Sequence, residues 1–291
     1  MKIKKNITES LLNHSHSYIY YKEFYNENNK KLKKIENTNR EFKEKIIKYE
    51  DLIKLLINDG EYSEELINYC PICETITNFK PFGTPPRKNA QCSNCGSLER
   101  DKFSIMIFHR KIPQIFEKNC KFLHFAPEKN LYKIFNNQEN IDYYPVDINP
   151  KRYKKNKINI REKVNMENIP YEDNTFDFIY NSHVLEHVPD DIKAMGQLRR
   201  VLKEDGICLV TIPLFNIPKT LENEEYNTPE LRLKHYGQKN HLRKYGNDFK
   251  NRLESVGFDV EEVEPKDIEN NINKRKILGL NENEKFFICK K

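Results

Sequence analysis

One stretch, from Phe176 to Asp191, constrains the fold more than any other, because it joins a buried strand directly to a run of polar residues. Its first part, Phe176-Asp-Phe-Ile-Tyr180, is too short and too continuously apolar for an amphipathic helix, and is typical of a strand buried on both faces of a parallel sheet. The polar residues that follow are Asn181, Ser182, His183, Glu186 and His187. Because ligands bind at the carboxyl ends of the strands in open α/β sheets, we expect a binding site here.

Strand and helix patterns alternate on both sides of this stretch. The predicted strands are 121–127, 141–148, 176–180, 206–213, 258–263 and 284–289, and the predicted helices are 97–110, 130–135, 190–203 and 247–256. This alternation predicts an α/β fold over residues 101–291, built on a Rossmann-like, doubly wound sheet.

Two C-x2-C pairs precede the α/β region. An 18-residue spacer separates Cys70-Pro-Ile-Cys73 from Cys92-Ser-Asn-Cys95, a spacing that lets four thiolates converge on one tetrahedral Zn²⁺. We therefore expect a small zinc ribbon over residues 66–100. Because four thiolates leave no open coordination position, this zinc would be structural. A redox-active C-x2-C pair and a nucleic-acid-binding ribbon are weaker interpretations.

Residues 1–60 carry a separate helical pattern. Apolar residues recur at alternating spacings of three and four, and Asn39 occupies one position of the same series: Leu32, Ile35, Phe42, Ile46, Tyr49, Ile53 and Leu56. One interpretation is a helical arm that packs on its own α/β domain. The other is a coiled coil that makes a homodimer, with Asn39 setting its register.

Charge and hydropathy exclude several classes of protein. The net charge of +6 is small for 291 residues and Lys and Glu are interspersed, so a dedicated nucleic-acid surface is not indicated. No window of about 18 apolar residues predicts a membrane span, and the first residues lack the apolar core of a signal peptide. With an odd cysteine number better suited to metal than to disulfides, these features predict a cytoplasmic protein.

The turn after the first predicted strand limits the choice of cofactor. It runs His124-Phe-Ala-Pro-Glu128 and contains no G-x-G-x-x-G, so no glycine lets the backbone approach a pyrophosphate, and a dinucleotide is disfavoured. Asp147 ends the next strand, where doubly wound folds place the acid that binds a ribose. A nucleoside cofactor without phosphates fits both features, and S-adenosylmethionine is such a molecule.

Several longer motifs resemble a known family. Asn-Ile-Pro-Tyr171, Asn-Thr-Phe-Asp177 and Ser182-His-Val-Leu-Glu-His-Val-Pro-Asp-Asp191 are similar to those of class I S-adenosylmethionine-dependent methyltransferases. Cys-Gly-Ser-Leu-Glu-Arg100, His124-Phe-Ala-Pro-Glu128 and Tyr236-Gly-Gln-Lys-Asn-His-Leu-Arg-Lys-Tyr-Gly246 resemble, more narrowly, bacterial methyltransferases with an N-terminal zinc ribbon. The narrower match spans about 70–260, so residues 1–60 lie outside it.

This resemblance implies roles for matching positions. The turn with His124, Ala126 and Glu128 would hold the methionine end of the cofactor. The other implied contacts are Asp147 to the ribose, Ile148 to one adenine face, Asn165 and Met166 to the adenine edge and face, and Asn181, Ser182 and His183 to the sulfonium. Two positions depart from the family: His124 stands where most members have an acid, and Asn165 where many have Asp.

The chemistry at the methyl acceptor is less constrained. A hydroxyl or amine acceptor sheds a proton, for which His183, His187 or His241 would serve as general base, with Glu186 between the first two in sequence. Some related quinone-pathway methyltransferases use matching positions for a divalent metal, here His183, Glu186 and His187. Residues 214–246 form a long insertion that we expect to cover the acceptor. Their aromatic and hydrogen-bonding side chains favour O-methylation of a polar small molecule or a glycan.

Three rival hypotheses follow from the same residues. His183-Val-Leu-Glu-His187 also spells the H-x-x-E-H of inverted zinc proteases, although here it directly follows a strand. A non-catalytic interaction module is the second, supported by the atypical turn at His124. A nucleic-acid methyltransferase is the third, and a steep salt dependence of RNA or DNA binding would indicate it.

Overall fold

A computed structural model describes residues 68–291, so the predicted helical arm and coiled coil at 1–60 lie outside the described residues. The described chain begins with two small antiparallel sheets in the region predicted as a ribbon. Strand β1 (Asn68–Cys70) pairs with β2 (Thr75–Thr77), and β3 (Phe79–Phe82) pairs with β4 (Arg87–Cys92).

A seven-stranded sheet forms the centre of the rest. Its strands are β5 (Cys120–Phe125), β6 (Ile141–Asp147), β7 (Glu162–Lys163), β8 (Phe176–Ser182), β9 (Leu202–Thr211), β10 (Asp259–Val263) and β11 (Phe286–Lys290). They lie in the order β10-β11-β9-β8-β5-β6-β7, and β11 alone runs antiparallel to both its neighbours. This mostly parallel sheet, with helices on both faces, confirms the predicted Rossmann-like α/β class.

The helices cover two separate cores. They are α1 (Glu99–Arg110), α2 (Gln114–Glu117), α3 (Lys129–Asn136), α4 (Asp191–Val201), α5 (Pro229–Tyr236), α6 (Phe249–Ser255), α7 (Pro265–Ile268) and α8 (Ile272–Ile277). Side chains alternate across each strand, so Leu123 packs with α4 and α6 on one face, while Phe122 packs with α1 and α3 on the other. Both faces of β8 are therefore buried, as its apolar run predicts.

Most predicted boundaries lie within two residues of the observed ones, and the largest difference is the start of β9, predicted at 206 and observed at 202. The helix expected over 190–203 ends at Val201, and β9 begins at once with Leu202. Leu202 pairs with Phe176 of β8, so sheet pairing ends the helix before its apolar pattern does.

The two small sheets dock on the larger domain near the start of α1. Arg87 makes a two-pronged ion pair with Glu99, with N···O distances of 2.9 and 3.0 Å. The amide of Asn130 in α3 donates to the carbonyl oxygen of Cys95 at 3.1 Å. The ribbon region thereby fixes where α1 starts. Within residues 68–291, no helix combines the length and the apolarity that a membrane crossing requires.

Candidate active site

The carboxyl ends of β5 and β8 border the crevice where a doubly wound sheet binds ligands. These two strands are neighbours, and the chain leaves β5 for β6 on one side while β8 lies on the other, so the strand order reverses between them. Ala126 after β5 and His183 after β8 both have positive φ angles, 50° and 53°. Non-glycine residues seldom adopt this conformation, and such strain concentrates at functional sites.

The predicted turn at His124 is built around a contact between the buried ring of His124 and the partly buried carboxylate of Glu128. Nε2 of His124 lies 3.1 Å from a carboxylate oxygen of Glu128, and its Nδ1 lies 2.7 Å from the hydroxyl of Tyr143. Burial alone would raise the pKa of Glu128, but the hydrogen bond and charge of His124, with Arg100 nearby, outweigh it and lower that pKa. Both ring nitrogens of His124 thus contact protein groups, and one of these groups is the carboxylate of Glu128.

Helix α1 adds two charged residues that the sequence analysis did not assign to the site. The charges of Asp101, Glu128 and Glu284 act on Arg100, and they raise its pKa despite the opposing effect of burial. Asp101 is 5% exposed, and burial together with the charge of Glu128 raises its pKa to about 6. The only sequence signal for them is their position after Cys95: Arg100 ends the motif that begins at this cysteine, and Asp101 follows it.

The residues predicted for the nucleoside lie at the end of β6 and just after β7. Asp147 is buried, its Oδ1 accepts from the amide of Asn149 at 2.6 Å, and its Oδ2 accepts from Arg152 and Tyr153 at 2.6 and 2.9 Å. Ile148 is 59% exposed although it is large and apolar. Met166 is buried, and Asn165 is exposed beside it.

Asn181, near the end of β8, has a buried side chain that lacks hydrogen-bond partners. Its side chain is fully buried, yet neither its amide nitrogen nor its amide oxygen has a hydrogen-bond partner among residues 68–291. A buried amide without partners costs about 1–3 kcal/mol, so this position fits contact with a polar ligand. The hydroxyl of Ser182, the next residue, also lacks a hydrogen-bond partner within residues 68–291, although its proximity contributes to the lowered pKa of Glu128.

Three histidines surround the carboxylate of Glu186. The distances from its Oε1 are 3.5 Å to Nδ1 of His183, 4.0 Å to Nε2 of His187 and 4.0 Å to Nε2 of His241. Glu186 is 1% exposed, and neither of its carboxylate oxygens has a hydrogen-bond partner in the described chain. Burial raises the pKa of Glu186, which the charges of His183 and His187 partly oppose. All four predicted catalytic residues are thus brought together.

The insertion at 214–246 contributes His241 and is locked to the turn that carries Glu186. The buried guanidinium of Arg243 donates to the carbonyl oxygens of Leu185, Val188 and Pro189 at 2.6–2.9 Å. The amide of Leu242 donates to the carbonyl oxygen of Glu186 at 2.8 Å. The backbone next to His241 is therefore anchored to the turn that carries Glu186, and burial with the neighbouring His187 lowers the pKa of His241 to about 4.

The local backbone argues against the H-x-x-E-H protease hypothesis. That motif needs both histidines on one face of a helix. Here the helical turn spans only Leu185–His187, and His183 precedes it with a positive φ. The two histidines therefore do not lie one helical turn apart on a common face.

The four predicted zinc ligands converge between the two small sheets. Sγ of Cys70 lies 3.7 Å from Sγ of Cys95, Sγ of Cys73 lies 3.8 Å from Sγ of Cys92, and all four sulfurs lie within 4.8 Å of one another. A tetrahedral ion with Zn–S bonds of about 2.3 Å places its sulfurs about 3.8 Å apart, so the cluster fits such an ion.

Comparison with known proteins agrees with this architecture. Residues 119–263 match the model of a family described as a methyltransferase domain. Over 54 residues the chain is 41% identical to a demethylmenaquinone methyltransferase of Staphylococcus epidermidis, a stretch that covers 16% of this chain and 22% of that protein. Over 63 residues it is 36% identical to an uncharacterised protein of Methanocaldococcus jannaschii, covering 22% of this chain and 27% of that protein.

The chain thus spans about a quarter of the length of these curated relatives. Among solved structures, a SAM-dependent methyltransferase from Archaeoglobus fulgidus aligns with 65% of this chain and 94% of its own, at 18% identity and a TM-score of 0.43.

Proposed function

We propose that this chain, which belongs by fold and family to the class I S-adenosylmethionine-dependent methyltransferases, methylates a hydroxyl oxygen of a polar small molecule or a glycan. The observation that carries the proposal is the cluster of His183, His187 and His241 around the buried carboxylate of Glu186. It lies directly after β8, at the crevice where a doubly wound sheet binds its cofactor.

The two charges of the cofactor's methionine end have complementary partners beside β5. Glu128 carries a lowered pKa and would bind the ammonium group, while Arg100 of α1 would bind the carboxylate. The positive φ of Ala126 lets the backbone turn sharply between them. The unpaired amide of Asn181 and the hydroxyl of Ser182 would then line the sulfonium.

Asp147 would bind the ribose hydroxyls. Its Oδ2 is held by Arg152, whose side chain is 53% exposed and is free to move aside for a ribose. Ile148 and Met166 would cover the adenine, with Asn165 at its edge. The 59% exposure of Ile148 supports this, since the adenine would bury it.

The transfer itself needs alignment and the removal of one proton. When bound, S-adenosylmethionine would supply a methyl group activated by its sulfonium, which the acceptor oxygen would take while S-adenosylhomocysteine leaves with the electrons of the carbon–sulfur bond. We assign the acceptor proton to His183, which lies between two carboxylates, Glu186 at 3.5 Å and Glu284 at 3.8 Å. These carboxylates would stabilise the imidazolium that forms, as the acid does in a catalytic triad.

The insertion at 214–246 would cover the acceptor. Tyr226 and His235, both partly exposed, stack at 3.8 Å between ring centroids and combine aromatic surface with polar atoms. Such surfaces bind sugars, which supports a glycan or another polar metabolite.

The four cysteines would hold a structural zinc. Its site is closed by four thiolates, and Ser97 supports it through contacts of 3.3 Å to Sγ of Cys70 and 3.1 Å to Sγ of Cys95. Because α1 starts just after Cys95, this zinc would position Arg100 for the cofactor.

Calorimetric titration of the zinc-loaded full chain with S-adenosylmethionine and S-adenosylhomocysteine tests the proposal. We expect micromolar binding that Asp147→Ala weakens at least about tenfold, since the variant loses charged hydrogen bonds to the ribose. Asp142→Ala, on the same strand but exposed, is the matched control. A turnover screen with nucleotide sugars, glycans and small hydroxyl compounds then follows, with methylated product detected by mass spectrometry.

Failure to bind either cofactor would overturn the proposal and favour the non-catalytic module. Binding without turnover on any acceptor would have the same consequence for catalysis. Turnover only on RNA or DNA would replace the small-molecule acceptor by a nucleic acid.

A further inference from the structure

We propose that Glu186, His187 and His241 form a second metal site, distinct from the four cysteines, which binds one divalent transition-metal ion. The three residues each offer one ligand atom, and these atoms all lie within 4.8 Å of one another. Their elements are different: a short helical turn carries Glu186 and His187, and the insertion at 214–246 carries His241.

The spacing of the cluster suits a cation better than direct hydrogen bonds. Oε1 of Glu186 lies 4.0 Å from Nε2 of each of the two histidines, beyond the range of about 2.7–3.2 Å for a hydrogen bond. Metal bonds of about 2.0–2.2 Å place tetrahedral ligand atoms about 3.4 Å apart, so side-chain movements of roughly half an ångström would close the site.

The carboxyl group of Glu186 is buried without a hydrogen-bond partner in the described chain. The side chain is 1% exposed, and both oxygens lack a hydrogen-bond partner within residues 68–291. Buried charges in proteins are paired or bind metals, because an isolated buried carboxylate is costly. His241 is also buried, at 3% exposure, so little water can reach the carboxyl group of Glu186 from the side of this histidine.

A hydrogen bond from His187 fixes the tautomer that a metal ligand needs. Its Nδ1 lies 3.0 Å from the carbonyl oxygen of Asn240, which accepts a hydrogen bond and therefore fixes the proton on Nδ1. Nε2 is left with a lone pair that faces Glu186. Metal-binding histidines show this arrangement, with the second nitrogen bound to a backbone carbonyl. Asn240 and His241 are adjacent, so the same loop supplies a ligand and orients another.

The ligand set indicates the class of metal. Two imidazoles and one carboxylate suit zinc, manganese, iron or cobalt, whereas magnesium and calcium prefer oxygen ligands throughout. Three protein ligands leave at least one position open. If the proposed function holds, an oxygen of the acceptor would take that position, and the metal would orient the hydroxyl while His183 receives its proton.

Metal content and titration of the full chain test the site without any methylation assay. We expect two metal equivalents per wild-type chain: zinc on the cysteines and one exchangeable ion. In a Co²⁺ titration, the second equivalent would produce weak d–d bands in addition to the intense thiolate bands. Glu186→Gln and His241→Ala should each weaken the second equivalent about 100-fold and leave the first unchanged.

His235→Ala, which removes another histidine of the same insertion, is the matched control and should retain both equivalents. A wild-type chain that binds one equivalent only, or a second equivalent that survives both ligand substitutions, overturns the metal site. Circular dichroism of the variants separates ligand loss from unfolding, and Glu186→Gln preserves the size of the side chain. A chain that binds the second ion but never methylates would refute the proposed function while leaving this site intact.

Discussion

Ala126 and His183 leave adjacent parallel strands through the same left-handed backbone conformation. The two strands are paired up to this point, since Phe125, which precedes Ala126, lies opposite Asn181, two residues before His183. Their amides then diverge: that of Ala126 donates to Val146 of β6, and that of His183 donates to Thr211 of β9, each at 2.9 Å. The segments that follow β5 and β8 thus turn away from one another, and this divergence opens the crevice between them.

The strain at His183 predicts an opposition between stability and activity. A residue with a Cβ in the left-handed conformation costs about 1–2 kcal/mol of stability. Glycine removes this strain, but part of the gain is lost because glycine raises the entropy of the unfolded chain. We expect His183→Gly to be about 0.5–1 kcal/mol more stable than His183→Ala in urea unfolding. Both variants should lose about 10²- to 10⁴-fold in turnover, because both lack the imidazole.

His235 provides the control for that comparison. It lies in helix α5 and has no positive φ, so glycine should there be less stable than alanine by about 0.5–1 kcal/mol. If alanine is more stable than glycine at position 183 as well as at position 235, the left-handed backbone of His183 carries no strain.

The sequence predicted those features that depend on local pattern. The continuous apolar run of β8 predicts a strand buried on both faces, and the cysteine spacing predicts the thiol cluster. Both predictions were possible because each signal lies within a short segment. The polar residues from Asn181 to His187 followed from their position after that strand. His241 was named only as one candidate base, and its approach to Glu186 depends on how Arg243 anchors a distant loop.

Arg100 and Asp101 were missed for a different reason. On a helical pattern they belong to the first turn of an ordinary helix, and charged residues there usually face solvent. Here Asp101 is buried and Arg100 is partly buried, at a helix start that the contacts Arg87–Glu99 and Asn130–Cys95 tie to the two small sheets. Such tertiary placement leaves no periodic signal in the sequence.

Substitution of Arg100 should weaken cofactor binding. We expect Arg100→Met to raise the Kd for S-adenosylhomocysteine about 10- to 100-fold, because a charged hydrogen bond to the methionine carboxylate contributes about 1.5–3 kcal/mol. Calorimetry measures the effect. Arg161→Met, which removes an exposed arginine paired with Asp142, should bind normally, and equal affinities for all three proteins would exclude Arg100 from the cofactor site.

Loss of the cysteine cluster should affect both stability and cofactor binding. We expect Cys73→Ser to lose one zinc equivalent and about 3 kcal/mol of stability, or roughly 6–12 °C in Tm, and to bind S-adenosylhomocysteine more weakly. The second effect follows because the ribbon positions α1. Cys120→Ser, a buried cysteine outside the cluster, should keep its zinc. Unchanged affinity in a zinc-free variant would separate the ribbon from the active site.

Asp101 and Glu128 should give pH effects of opposite sign. Burial and the charge of Glu128 raise the pKa of Asp101 from 3.8 to about 6, so the unfolded chain releases this proton first as the pH rises. Stability is therefore lost between about pH 4 and 6, by up to about 3 kcal/mol. Asp101→Asn cannot ionise and keeps the acceptor for the amide of Leu98, so it should gain stability over the wild type across this window and hold the gain at pH 7.

For Glu128 the pKa is lowered instead, because the hydrogen bond and charge of His124 outweigh its burial. Its ionised form is favoured by folding, so its contribution is complete above its ordinary pKa of 4.5 and is lost as the pH falls below that value. Glu128→Gln should therefore destabilise the protein most at neutral pH, where Asp101→Asn stabilises it. Urea unfolding of both variants and the wild type from pH 4 to 7 measures the two differences. If both variants change the free energy of unfolding in the same direction, or if neither change varies with pH, the pKa of Asp101 is not raised while that of Glu128 is lowered.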